Sequence, residues 1–173
     1  MIAPIIALDP GPELSALVVW NGTAPSLLRY AGNEEIMALL RTWRATGSPC
    51  IIEKIASYGM AVGEEVFETV YWSGRFAEAY GVERVHRIPR LKVKQHLCHD
   101  SRAKDGNIRQ ALIDRFGKGT KKHPGPLLGV SGDLWAALAV AVTWWDTNCA
   151  SGTPQSAERV ATTQVRSDVN VAS

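Results

Sequence analysis

The sequence predicts an α/β fold: a mixed five-stranded sheet, three antiparallel strands followed by parallel crossovers, with helices on its flanks. Three observations predict it. Three strand-like segments come first, joined by turn residues; helical and extended patterns then alternate; and the last ordered-looking segment is a long apolar helix.

Residues 4–9 form the first strand, an apolar run that ends on Asp9 and an Asp-Pro-Gly turn. Residues 14–20 form the second, and Asn21-Gly22, both tolerant of positive φ, turn the chain into a third over 23–30. Pro25 lacks the N–H that a central strand would use, so this strand lies at an edge or starts late. Asn33, Glu34 and Glu35 cap and charge a helix in which Ile36, Leu39, Leu40 and Trp43 keep helical spacing, and Gly47 stops it. Residues 49–53 then form a central strand parallel to the first, ending on Glu53.

A long helix over 63–80 carries Val66, Phe67, Val70, Trp72, Phe76 and Tyr80, more large apolar side chains than one sheet contact demands. It is either buried on the sheet or shared with a second copy of the chain. A short fifth strand over 82–88 stops at Pro89, a brief helix covers 91–97, and Asp105 or Asn107 caps a helix over 108–116. Residues 118–129 mix Gly, Pro, Lys and Thr with no period and form a loop. Ser131 or Asp133 starts the last helix, which runs through 145. Residues 1–148 are thus expected to form one domain, and the Ser-, Thr- and Ala-rich residues 149–173 a flexible tail.

Composition is that of a globular protein, with 46% hydrophobic and 21% charged residues, and no apolar run reaches the ~20 residues of a membrane helix. No secretion signal is evident at the start, and Cys50, Cys98 and Cys149 form no CxxC pair, so reduced thiols and a cytoplasmic location are expected. His96, His99 and Cys98 lack the further ligands of a structural zinc site. Net charge is only +2, but Arg84, Arg87, Arg90, Lys92, Lys94, Arg102, Lys104 and Arg109 crowd one stretch, and Lys118, Lys121 and Lys122 follow. That density suits a phosphate-contacting face or a solvated one.

Two strands deliver an acid to the open end of the sheet, Asp9 and Glu53, and the start of the last helix can lay Asp133 over the same ends. An acid at a strand end is by itself most often solvated, but three in these topological places suggest a shared site.

The segments Ile6-Ala7-Leu8-Asp9-Pro10-Gly11, Ile51-Ile52-Glu53, Val93-Lys94-Gln95 and Asp133-Leu134-Trp135-Ala136-Ala137-Leu138-Ala139-Val140-Ala141, in this order, resemble RuvC-type Holliday junction resolvases of the ribonuclease H-like superfamily, most closely phage-encoded members. The resemblance spans residues 4–145 and implies a ribonuclease H-like fold and hydrolysis of DNA at branch points. It implies two Mg²⁺ ions per site, replaceable by Mn²⁺, about 3.5–4 Å apart, one activating water and the other stabilising the leaving oxygen. Asp9, Glu53 and Asp133 would be the catalytic metal ligands, with Asp9 bridging. It further implies four-way junction DNA as partner, a homodimer, no membrane, no small-molecule cofactor, and the host cytoplasm if phage-encoded.

On the same resemblance, Tyr58 and Met60, in the loop after Glu53, would stack on junction bases, or else pack under the next helix. Lys92, Lys94, Lys104 and Arg109 would hold phosphates, with Lys121 and Lys122 contacting backbone. In one place the chain departs from the pattern. Where the family presents a second acid three residues into the last helix, this chain has Ala136. Either water or Asp105 serves as fourth ligand, which is the preferred reading, or the site is inactivated or naturally weakened; Asp105 otherwise reads as a helix N-cap. The competing functions are a junction-binding protein without catalysis and a nucleotide-phosphate module, which would need a second such domain.

Overall fold

The computed structural model describes residues 3–57 and 59–149. In chain order it contains β1 (Ile5–Asp9), β2 (Leu14–Trp20), β3 (Pro25–Gly32), α1 (Asn33–Trp43), β4 (Cys50–Lys54), α2 (Glu64–Tyr80), β5 (Val85–Pro89), α3 (Arg90–Cys98), α4 (Asp105–Phe116) and α5 (Leu134–Asn148). The sheet order is β3-β2-β1-β4-β5, with β1, β2 and β3 antiparallel and β4 and β5 parallel to β1.

β1 is the central strand because both its faces are apolar: Ile5, Ile6, Ala7 and Leu8 are all fully buried. Alternation divides its side chains between two cores. Ile5 and Ala7 join Ala16, Val18, Ile51 and the residues of α5 on one face, while Ile6 and Leu8 join Leu17, Val19, Ile52 and α1 on the other. Phe76 and Tyr80 of α2 complete the second core, and the Tyr80 hydroxyl donates to the Ser48 carbonyl at 2.5 Å. Helix α5 is buried nearly all round because α3 and α4 cover the side that the sheet does not. Its small residues, Ala137, Ala139 and Ala141, let it lie close across β1 and β2.

Several boundaries differ from the sequence expectation for local reasons. β3 begins at Pro25 and not at 23, because Asn21 Oδ1 accepts from the amides of Thr23 and Ala24, each at 2.9 Å, and holds both in the turn. Gly22 is needed there: its φ is +99°, and a Cβ would meet the Trp145 ring at 2.5 Å. α1 starts at Asn33, whose side chain does not cap the helix and bonds elsewhere. Residues 82–84 form a single helical turn ahead of β5, and α4 starts at Asp105, with Lys104 in the capping position and its amide donating to Asn107 Oδ1.

On α2 the expected apolar face divides. Thr69, Ser73, Phe76 and Tyr80 turn inward, whereas Phe67, Val70 and Tyr71 are 64%, 47% and 58% exposed. The expected stacking residue Tyr58 and, apart from Cys149, the expected tail lie outside the described residues.

Candidate functional site

The parallel register of β1 on β4 runs Ile6 to Cys50, Ala7 to Ile51 and Leu8 to Ile52. One residue further along, Asp9 and Glu53 leave the same end of the sheet. Asp9 shares its face with Ile5 and Ala7, and Glu53 shares its face with Ile51, so both carboxylates lie on the side covered by α5. Asp133, the residue before α5, lies within electrostatic reach of Asp9. The fold therefore sets Asp9 and Glu53 at one end of the sheet, with the Asp133 charge felt at Asp9.

The turn that follows Asp9 is held from a distance. Gly11 packs so tightly that a Cβ there would meet the Leu14 carbonyl oxygen at 2.2 Å, which only glycine avoids. Its amide donates to Ser15 Oγ at 3.1 Å, the Ser15 hydroxyl donates to Asn33 Oδ1 at 2.6 Å, and Asn33 Nδ2 donates to the Gly11 and Pro12 carbonyls at 3.0 and 3.2 Å. Ser15 and Asn33 thus position Asp9 through the backbone.

The acids feel one another. Burial, then repulsion from Glu53, pushes the Asp9 carboxyl up to about 7, with Arg90 opposing and Asp133 and Asp105 adding to the rise. Burial likewise pushes the Glu53 carboxyl up, and Arg90 and Lys94 draw it back only in part. The Asp133 carboxylate, which lines the same hollow, raises the Tyr30 phenol on β3 above its ordinary value. Arg90, at the start of α3, spans Glu53 Oε2 at 2.9 Å and Asp105 Oδ1 at 2.6 Å. Asp105 is therefore the first residue of α4 and an ion-pair partner, not its N-cap. Ala136 lies half-buried in the first turn of α5 and offers no ligand.

A carboxyl pushed up to about 7 by burial and then by neighbouring carboxylates is a place where added positive charge is favoured, and hard oxygen donors suit Mg²⁺ or Mn²⁺. The donor set therefore fits a divalent cation. As placed, however, no three His, Cys, Asp or Glu side chains among the described residues stand close enough together to hold an ion.

Lys92, Lys104, Arg109, Lys121 and Lys122 are exposed and Lys94 is half-buried, within the electrostatic reach of Glu53. Arg109 lies over the Trp135 ring at 5.2 Å. Met60 is 72% exposed in the loop after β4. Sequence reasoning missed three features. Lys54, next to Glu53, lines a groove with Ala56, Pro89, Leu91, Lys92 and Gln95. Tyr30, Glu64, Glu65 and Glu68 share a hollow with Asp133. His96 Nε2 and Arg115 both meet Asp146, tying α3 and α4 to α5. The glutamates were legible as helix-start charges, but nothing local in the sequence placed them beside Asp133.

Strand order, the antiparallel meander with parallel crossovers, and the helix laid across the central strands define a ribonuclease H-like fold. Among solved structures the chain is similar to Thermus thermophilus RuvC in complex with a Holliday junction substrate, with a TM-score of 0.62 and 17% identity over 82% of this chain and 92% of that one. It is similar to a second Thermus thermophilus RuvC structure, again with a TM-score of 0.62 and 17% identity, over 83% and 95% of the two chains. No protein-family model matches the sequence, and no curated protein matches it. Among the described residues no helix is long and apolar enough to cross a membrane.

Proposed function

We propose that the chain is a divalent-metal-dependent endonuclease that nicks four-way DNA junctions, acting as a homodimer. The observation that carries this reading is the placement of Asp9 and Glu53 side by side at the end of β1 and β4, with Asp133 within electrostatic reach of Asp9, in a fold shared with a protein solved on a Holliday junction substrate. Bound there, Mg²⁺ or Mn²⁺ would supply Lewis acidity and an activated water. Asp9, Glu53 and Asp133 would hold the ions, with Asp105 near enough to Glu53 to serve through rearrangement.

The remaining roles follow from chemistry and position. Lys54 and Lys92 flank a groove beside Glu53 that suits a phosphate backbone, and Lys94 offsets charge near the reacting phosphate. Lys104, Arg109, Lys121 and Lys122 extend the positive surface, with the Arg109 guanidinium already oriented by Trp135. Met60, exposed at the loop tip, offers a polarizable surface to an unstacked base, and we assign Tyr58 the same role from its place in that loop. Phe67, Val70 and Tyr71 form the apolar face by which two copies would pair, so that two sites act on opposing strands.

A labelled four-way junction and a matched linear duplex, incubated separately with Mg²⁺, test the proposal. Paired symmetric nicks in the junction alone are expected, and equal cutting of the linear duplex refutes junction selectivity. A second reading, junction binding without catalysis, is favoured by Ala136, which offers no carboxylate in the first turn of α5. Gel-shift binding to the junction with no nicking in either Mg²⁺ or Mn²⁺ would establish it.

A further inference from the structure

We infer that Arg90 is a resident counter-cation of the acidic site: it holds Glu53 in the ion-free state and must release it when a divalent cation binds. This rests on the metal-dependent reading above. The guanidinium lies between two carboxylates, with Nη1 donating to Glu53 Oε2 at 2.9 Å and Nη2 donating to Asp105 Oδ1 at 2.6 Å. The two contacts differ in strength. The side chains of Arg90 and Glu53 are only 21% and 10% exposed, so this pair is shielded from water, whereas Asp105 is 80% exposed and adds an outer tether.

Such a fork stands where the ion would need a ligand. A Glu53 oxygen that accepts from Arg90 has less electron density to give a metal, and a guanidinium within a few ångströms of a dication repels it. The ion and Arg90 therefore compete for Glu53. Apparent ion affinity then falls by the fraction of time for which Glu53 is free. Once displaced, Arg90 is still anchored beside Lys94, Leu91 and Ser101, where its charge can meet a DNA phosphate. Ion loading would thus free a phosphate-binding group.

Mn²⁺ titration calorimetry on wild type, Arg90→Ala and Arg90→Gln tests the exchange, with far-UV circular dichroism confirming the fold. Both variants are expected to bind Mn²⁺ roughly tenfold more tightly, as follows if Arg90 holds Glu53 about nine-tenths of the time. Their ion-free forms should melt at lower temperature than wild type, with Mn²⁺ restoring the difference. A purely structural Arg90 would leave ion affinity unchanged or weaken it, and either result overturns the inference. If Arg90→Ala does not fold, Arg90→Gln decides in the same direction. Equal binding by wild type and variants overturns the role of Arg90 alone, whereas no Mn²⁺ binding by any of them overturns the metal-dependent reading as well.

Discussion

Ser15 and Asn33, on β2 and at the start of α1, are joined by a 2.6 Å hydrogen bond between side chains only 1% and 3% exposed. Through them the turn after Asp9 is tied to Asn33, 22 residues from Gly11. Removing Asn33 would leave the Ser15 hydroxyl and the Gly11 and Pro12 carbonyls without their partner. Asn33→Ala is expected to cost about 2–4 kcal/mol, from unsatisfied buried groups at ~1–3 kcal/mol each, read from the urea midpoint. A midpoint equal to wild type would show that the network carries no stability.

Asp9 carries a charge that the fold resists. Its carboxyl is raised from 3.8 to about 7, so between those values the folded state binds more protons than the unfolded one. The associated stability is fully present below pH 3.8 and is lost as pH rises through about 7. Asp9→Asn should therefore make the ion-free protein more stable at pH 8, by on the order of 2 kcal/mol, while the proposed function expects it to lose nicking. Melting temperatures of both proteins from pH 4 to 8 check this; parallel curves would contradict it.

Asp146 works in the opposite direction. Burial tends to raise its carboxyl, but hydrogen bonds from Arg115 at 2.5 and 2.8 Å and the 2.8 Å contact with His96 outweigh burial and hold it below 3.8. Its contribution is present above pH 3.8 and lost as pH falls through the depressed value. Because Arg115 is 45% exposed, solvent screens the pair, and Asp146→Asn should cost only about 1 kcal/mol at neutral pH. The deficit should shrink in acid. Chemical denaturation at pH 7 and pH 3 measures both.

Phe67, Val70 and Tyr71 follow one another at helical spacing with no covering element among the described residues. Phe67→Glu is expected to leave the melting temperature of the monomer within a few degrees, because an exposed side chain contributes little to the core. In light scattering after size exclusion, the same change should convert a dimer to a monomer. A wild-type chain that already elutes as a monomer at high concentration would remove this face as an interface.

Much of this was written locally. The apolar run before Asp9, the glycine at position 11 and the uninterrupted apolar stretch of α5 each carry their own signal, and strand order followed from the alternation of periods. The α2 face was not legible, because periodicity identified a helix without saying that the small Thr69 and Ser73 would take the inward positions. Nor was the pairing of Glu53 with Arg90, separated by 37 residues, since a cation in a basic stretch looks the same whether it meets DNA or a carboxylate. Asn33 read as a helix cap for the same reason: its true partners are 21 and 22 residues away.

The acids are carried by parts of very different cohesion. Asp9 and Glu53 stand at the ends of two strands paired side by side in the middle of the sheet, a position that ordinarily opens only with global unfolding. Asp133 is exposed and is reached through a long irregular segment over 117–133, in which Leu127 is the one buried apolar residue. Fraying of that segment can therefore carry Asp133 away from its companions while the strands stay paired. The site would then be dismantled from the helix side, and mild denaturant should extinguish activity before it disturbs the sheet.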